Sequence, residues 1–266
     1  MTDAYRGIKY ETILAWVKDG IGFMKFNRPE VMNAGNALLT KEAAEVLNAF
    51  SADPEVRVIL VHGDENVFCA GADLSEVQNF TAFEARDYIE KAGYAIYAIE
   101  DNHKPVITAV RGLALGVGLE IVLASDIRIF GENVTCAAPE INLGIIPGSG
   151  GTQRMPRNMS IGLAKQYILT GDFFDAQTAY RLGIANMVVP TEQVMEQAVK
   201  MANKLIKKAP LALREAKQAI NMSMNSDIKA GCQAEQEAWG MLFSSEDQKE
   251  GMKAFMEHRR AVFHGR

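Results

Sequence analysis

The sequence has few of the residues that build covalent or metal-held frameworks. Its 266 residues include three cysteines, Cys69, Cys136 and Cys232, and four histidines. Because the cysteines show neither CxxC spacing nor a dense disulfide pattern, we expect reduced and mostly buried thiols. The histidines lack HExxH or any paired ligand spacing, so we expect no bound metal. These absences favour a cytoplasmic location.

Long apolar runs and an excess of positive charge are also missing. No apolar run approaches the ~18 residues that span a bilayer. The first residues, MTDAYRGIKYE, are polar and include acids, which argues against a signal or transit peptide. A formal net charge of -5 gives no basic field for nucleic acid or an anionic membrane. We therefore expect small molecules or other proteins as partners, with no nucleic acid and no membrane.

Three common motifs are incomplete. The run that starts at Gly116, GVGLEI, lacks the third glycine of GxGxxG, which disfavours a dinucleotide fold. The run GIIPGSGGTQR has no GK[ST], so it is no P-loop, and no serine stands in GxSxG. Dinucleotide, P-loop and nucleophile-elbow chemistry are thus disfavoured.

Strand and helix patterns alternate over residues 1–190, which we predict to be an α/β core. Short apolar runs at 13–17 and 21–26 flank Lys18-Asp19-Gly20 and indicate a hairpin. The further predicted strands are 56–62, 105–110, 126–130 and 185–189, and the predicted helices are 40–50 with Thr40 as cap, 81–100, 119–124 and 176–183.

Residues 191–266 carry helical spacing and almost no strand signal, and we predict a helical C-terminal region. Helices are expected at 194–206, 210–224 and 228–243, and Ser245 with Gln248 resembles a capping box for a fourth. Their apolar faces must be buried against the core or a neighbouring subunit.

Two glutamates stand beside glycine-rich backbone. Glu120 alone would suit a helix dipole, and Glu140 alone would suit an exposed loop. Small residues at 69–73 and 116–118 let a ligand approach the main chain, where successive N–H groups can face one developing oxyanion. Two carboxyls and two such amides would describe a site that activates a carbonyl and moves protons around it.

Several segments together resemble the enoyl-CoA hydratase/isomerase, or crotonase, superfamily, and within it the hydratases most. The segments are NRPEVMNA, VFCAGADLSEV, KPVITAVRGLALGVGLEIVLASDIRI, APEINLGIIPGSGGTQR and SSEDQKEGMKAFMEHRRAVF. The resemblance implies a spiral of ββα turns with a C-terminal helical region that forms trimers, usually paired into hexamers. It also implies an acyl-CoA thioester substrate, no separate cofactor, and a role in lipid metabolism such as β-oxidation.

The resemblance also implies roles for particular residues. Backbone amides of Ala72 and Val117 would hold the thioester oxygen, Glu120 would activate water, and Glu140 would protonate the α-carbon. The amide of Gly148 would steady the catalytic groups. The loop residues Ala70, Ala72, Asp73 and Leu74 would contact coenzyme A.

Other interpretations remain open at this point. An enoyl-CoA isomerase needs only one acid/base, and an alicyclic acyl-CoA hydratase or hydrolase would share the fold. A homologue that binds RNA is the alternative of another class, which the acidic charge disfavours. The pair Ala137-Ala138 departs from the family's usual pattern and leaves the acyl preference open. Phe255 and Phe263 would pack in the core or near a neighbouring subunit's site, and core packing is favoured.

Overall fold

The computed structural model describes residues 5–266 and contains two sheets. The larger has strand order β1-β2-β3-β5-β7-β10, and the smaller has order β4-β6-β8-β9. In the larger sheet β1 and β2 are antiparallel and the other neighbours parallel. The strands are β1 Ile13–Lys18, β2 Ile21–Phe26, β3 Val58–His62, β4 Val67–Cys69, β5 Val106–Val110, β6 Leu113–Leu115, β7 Ile127–Gly131, β8 Thr135–Ala137, β9 Phe174–Asp175 and β10 Met187–Val189.

Successive turns of the chain add one strand to each sheet. The pairs β3–β4, β5–β6 and β7–β8 each step from the larger sheet to the smaller and are followed by helical structure. This arrangement confirms the expected spiral of ββα turns. The helices are α1 Ala37–Ala52, α2 Leu74–Val77, α3 Ala82–Glu100, α4 Val117–Ala124, α5 Gly151–Asn158, α6 Ile161–Thr170, α7 Ala176–Arg181, α8 Val194–Ile206, α9 Pro210–Ser223, α10 Ile228–Leu242 and α11 Glu246–Met256.

The main core lies where α1, α3 and α4 pack between the sheets. Its largest fully buried side chains include Phe26, Phe50, Phe68 and Phe130. Burying each such ring contributes about 1.5–3 kcal/mol relative to exposure. The core thereby holds the start of α4, which carries Glu120, in a fixed place.

Two local predictions meet different outcomes near the N-terminus. The hairpin is confirmed, and Asp19 and Gly20 both have positive φ, as a tight turn of matching twist requires. The predicted cap at Thr40 is wrong, because α1 begins three residues earlier. There the Asn36 side chain accepts a hydrogen bond from the amide of Leu39 and satisfies the helix start.

The first C-terminal helix is part of the sheet packing. Val194, Ala198 and Ala202 of α8 pack on the outer face of the larger sheet and form a second apolar cluster with its strands. Helix α9 is attached through the buried Lys217, whose Nζ lies 2.9 Å from Asp126 Oδ2. The predicted helical region thus begins with a helix that completes the core.

The last two helices expose much of their apolar surface. Ser245 caps α11 as expected, but the reciprocal bond of a capping box is not formed, and Gln248 Oε1 is buried without a partner in the part of the chain described. The prediction that Phe255 packs in the core is wrong, because its side chain is 81% exposed. Phe263 is half-buried and packs beside Gly251.

The described helices include none that combines the length and apolar character needed to cross a bilayer. Of the three free cysteines, Cys69 and Cys136 are buried as expected, whereas Cys232 is exposed.

Candidate active site

A cavity of about 260 Å³ lies between α3, the start of α4, the loop after β4 and the 3-10 helix Pro139–Leu143. It brings together most of the residues that the sequence singled out. Those on its wall are Ala70, Ala72, Leu74, Val117, Glu120, Glu140 and Gly148. A larger cavity of about 810 Å³ lies on the other side of α5, and its wall contains none of them.

The two predicted amide donors belong to residues on this cavity wall, Ala72 in the loop after β4 and Val117 at the start of α4. A backbone bridge joins Gly35 to Ala72, and Gly35 N donates to Gly71 O at 2.8 Å. Val117 is the first residue of α4, where amides have no partner within the helix. Within residues 5–266 the amides of Ala72 and Val117 donate to no protein acceptor. Both are therefore free for an oxygen of a ligand.

Glu120 is held by the start of a second helix. Its side chain is buried, and its Oε1 accepts hydrogen bonds from the amides of Ser149 and Gly151, each at 2.8 Å. Burial raises the pKa of Glu120 to about 7, with a further increase from Glu140, while the two amides and Arg154 lower it. A carboxyl that titrates near neutrality suits proton transfer at physiological pH.

Glu140 enters the cavity from the 3-10 helix and is half-buried. Its Oε2 is buried and has no hydrogen-bond partner in the described chain, and burial raises its pKa. An unpaired buried carboxyl favours the neutral form, because desolvation penalises the charge.

Glycine at position 116 allows the start of α4 and the side chain of Glu140 to lie close together. Gly116 caps α4 with φ +50°, a conformation that side-chain-bearing residues rarely adopt. A Cβ there would lie 2.8 Å from Glu140 Oε1. The same residue therefore starts the helix that presents the Val117 amide and leaves room for the second glutamate.

Asp73 is the predicted contact residue that the structure places elsewhere. It does not lie on the cavity wall but caps α2, accepting hydrogen bonds from Ser75, and pairs with Arg28 at 3.0 Å. Its amide donates to Gly35 O at 2.8 Å. These hydrogen bonds and the ion pair show how Asp73 maintains the loop, and its contact with a ligand stays a prediction.

The amides that hold Glu120 belong to residues just after Gly148, and the role expected of the Gly148 amide stays a prediction. Ser149 and Gly151 donate to Glu120, whereas Gly148 lines the cavity and packs against Ile89, which lies 2.5 Å from where a Cβ would stand. The run SGG at the start of α5 is typical of a helix N-terminus, so the two amide donors could have been predicted from the sequence. Tyr88, on the wall with its hydroxyl bonded to Gly35 O at 3.1 Å, gave no such signal.

The unusual pair Ala137-Ala138 does not shape the cavity. Both residues are buried in the core, and neither lies on the cavity wall. The apolar wall beside Glu140 consists instead of Leu143, Ile145 and Ile146.

Residues 17–266 match the family model described as enoyl-CoA hydratase/isomerase. The chain belongs to this family. It is 40% identical to a crotonyl-CoA hydratase of Syntrophomonas wolfei, over 96% of this chain and 98% of that one. It is 42% identical to a short-chain-enoyl-CoA hydratase of Clostridium acetobutylicum, over 91% of this chain and 94% of the relative.

A solved structure agrees with the sequence relatives. The enoyl-CoA hydratase from Bacillus anthracis superposes with a TM-score of 0.92 at 34% identity, covering 96% of this chain and 100% of that one. The similarity extends from the spiral core through the C-terminal helices of this family member.

Proposed function

We propose that this family member is a 2-enoyl-CoA hydratase, which adds water reversibly to a trans-2-enoyl-CoA and forms a 3-hydroxyacyl-CoA. The observation that carries the proposal is the meeting of Glu120 and Glu140 with two unpaired amides around one cavity. An isomerase needs only one proton carrier, so the second buried carboxyl favours hydration. The named hydratases among the relatives support the same reaction.

Negative charge develops on the thioester oxygen when water adds to the β-carbon. The Ala72 and Val117 amides would donate hydrogen bonds to that oxygen, and each such donor is worth roughly 3 kcal/mol to a transition state. Val117 also stands at the positive end of the α4 dipole. By lowering the barrier, the pair would therefore raise the rate by several powers of ten.

The two glutamates would divide the proton transfers. Glu120 accepts two amide hydrogen bonds, which favour its ionised form, and would deprotonate the attacking water. Glu140 has a buried oxygen without a partner, which favours its neutral form, and would deliver a proton to the α-carbon. Each transfer contributes about 10²–10⁴-fold to the rate in comparable enzymes.

Coenzyme A would lie along the loop after β4. Ala70, Ala72 and Leu74 present backbone and small or apolar side chains on that wall of the cavity. The loop is held in shape from behind by Arg28 and Asp73. A direct contact from the Asp73 side chain forms no part of the proposal.

The chain would assemble as a homotrimer, alone or paired into a hexamer. Large apolar side chains on the last helices support this, since Trp239, Met241, Phe255 and Met256 are each more than half exposed in a single chain. Light scattering on the purified protein would measure the mass, and a monomer at micromolar concentration would contradict the assembly.

A spectrophotometric assay with crotonyl-CoA tests the activity. We expect loss of the absorbance of the conjugated enoyl thioester as water adds. If no hydration occurs but a 3-enoyl-CoA is converted to the 2-enoyl-CoA, the chain is an isomerase and the proposal fails.

A further inference from the structure

A mostly buried guanidinium on the wall of the larger cavity contacts the turn that holds Glu120. Arg154 projects from α5, and its side chain is 12% exposed. Its Nη1 donates to the Ser149 carbonyl at 3.0 Å, its Nε donates to Glu100 Oε1 at 3.3 Å, and its Nη2 donates to Glu100 Oε2. Arg154 and Glu100 line the larger cavity and are absent from the wall of the smaller one.

The turn that Arg154 contacts is the one that holds Glu120. Along the chain, the Ser149 carbonyl lies between the amides of Ser149 and Gly151, both of which donate to Glu120 Oε1. Gly150 has φ +104°, and a Cβ on it would collide with Arg154 Nη1. The guanidinium therefore lies directly against the backbone of the turn, in space that a side chain at position 150 would fill.

The elements packed around α4 bring few charges toward Glu120. Glu140, from the 3-10 helix, raises the pKa of Glu120, and Arg154, from α5, lowers it. Helix α3 contributes Glu100, which is bonded to Arg154. Strand β4 contributes the thiol of Cys69, which burial keeps neutral by raising its pKa to about 11. Among the described residues, Arg154 is the cation with the largest influence on the pKa of Glu120.

We propose that Arg154, oriented by Glu100, is a positioning residue for Glu120. Its guanidinium fixes the turn 148–151, whose amides hold the carboxylate, and it places a positive charge behind that carboxylate without touching the substrate. The inference rests on the proposed hydratase function for its catalytic consequence, but its structural content concerns Glu120 alone.

The decisive measurement is the pH profile of kcat/KM for crotonyl-CoA in Arg154→Met. Removing the charge destabilises ionised Glu120, so the acid limb moves to higher pH. A displacement of about one pH unit, the low end for a neighbouring opposite charge, lowers kcat/KM about tenfold at pH 6 and less than about twofold at pH 9. KM at pH 9 stays near that of the wild type, because Arg154 lies outside the substrate cavity.

Arg157→Met is the matched control. Arg157 lies on the same helix and the same larger cavity, and its Nη1 donates to Gln153 O at 2.7 Å. Arg157 is not among the groups with the largest influence on the pKa of Glu120. The control should therefore keep the acid limb of the wild type.

Arg154→Lys keeps the charge but cannot make all three guanidinium bonds, so we expect an acid limb between those of the wild type and Arg154→Met. If Arg154→Met does not fold, Arg154→Lys decides by the same criterion. A limb that stays in place, or a loss of activity equal at every pH, overturns the proposal.

A titration independent of turnover separates this inference from the proposed function. The Glu120 carboxyl can be followed by ¹³C NMR and assigned by comparison with Glu120→Gln. If the wild type hydrates nothing, the hydratase proposal fails, yet a Glu120 titration that moves to higher pH in Arg154→Met and not in Arg157→Met still supports Arg154. Identical Glu120 titrations in the two variants refute it.

Discussion

Helices α4 and α5 are each capped by a glycine with positive φ, but the amides at their N-termini are used differently. At the start of α4 the Val117 amide is unpaired within the described residues and faces the cavity. At the start of α5 the Gly151 amide, with that of Ser149, is occupied by Glu120. One helix start is open to a ligand's oxygen, and the other binds a carboxylate of the protein itself.

The difference has a clear physical basis. A helix N-terminus favours negative charge wherever it comes from. In the proposed mechanism, the start occupied by Glu120 would orient a base and stabilise its charge, while the empty start would keep a donor for a charge that exists only during the reaction. Two similar backbone features would therefore serve two different anions.

The largest expected effect comes from removing the acid or the base. In Glu120→Gln the amide oxygen can still accept from Ser149 and Gly151, so α5 keeps its ligand while the base is lost. We expect kcat to fall about 100-fold or more, with a melting temperature no lower than that of the wild type. Glu140→Gln should lose as much. Full activity in either variant would contradict the division of proton transfers between these residues.

The next effect tests the open helix start. Val117→Pro removes the N–H at the first helical position, where proline fits the helix. We expect kcat to fall by about 10²–10³, the cost of one oxyanion donor, with the circular dichroism spectrum unchanged. Val117→Ala keeps the amide and should stay within about threefold of wild-type kcat. Equal activity of the two variants would show that this amide does not hold the oxygen.

A smaller effect tests the glycine that joins α4 to Glu140. Gly116→Ala must hold a positive φ, and its Cβ would press on Glu140 Oε1. We expect about 1–3 kcal/mol of lost unfolding free energy, measured by urea denaturation. Gly162→Ala, in α6 with open space around its Cβ, is the control and should not be destabilised. Equal stability of both variants would remove the argument for glycine at 116.

The smallest effect is expected at the occupied helix start. Ser149 Oγ is buried without a partner in the described chain, and the residue acts through its amide. Ser149→Ala should therefore keep kcat within about threefold and lose no stability. Ser125→Ala, which removes a hydroxyl bonded to Ile121 O at 2.9 Å, should lose about 0.5–1.5 kcal/mol. A large loss of activity in Ser149→Ala would mean that the hydroxyl itself takes part.

Much of the fold and most of the candidate site could be predicted from the sequence. Local patterns indicated the hairpin and the alternation of strands and helices, and Glu120, Glu140, Ala72 and Val117 do lie around one cavity. The strand and helix predictions succeeded because glycine-rich turns and apolar periodicity are local signals. The site residues were indicated by the family resemblance of the motifs that contain them, and their roles stay predictions.

The details of the site that sequence patterns did not reveal depend on contacts between residues distant in sequence. The amide and carboxylate of Asp73 are bound by Gly35 and Arg28, which lie far away in the sequence. Ala137 and Ala138 are buried by the core that surrounds them. Tyr88 belongs to a helix that reads as ordinary, and Arg154 acquires meaning only through Glu100 on another helix. None of these contacts produces a periodicity or a residue spacing that can be recognised in the sequence.

The packing of α8 has a consequence for the order in which the molecule can form. The strands of the larger sheet are complete by residue 189, but Val194, Ala198 and Ala202 cover one of its faces. A chain that folds as it is synthesised, N-terminal part first, holds that face bare until α8 emerges. The pairing of β10 with β7 also joins residues far apart in sequence, such as Met187 and Ile129, and such contacts slow folding. We therefore expect a nascent chain that ends near residue 190 to be the species that most needs a chaperone.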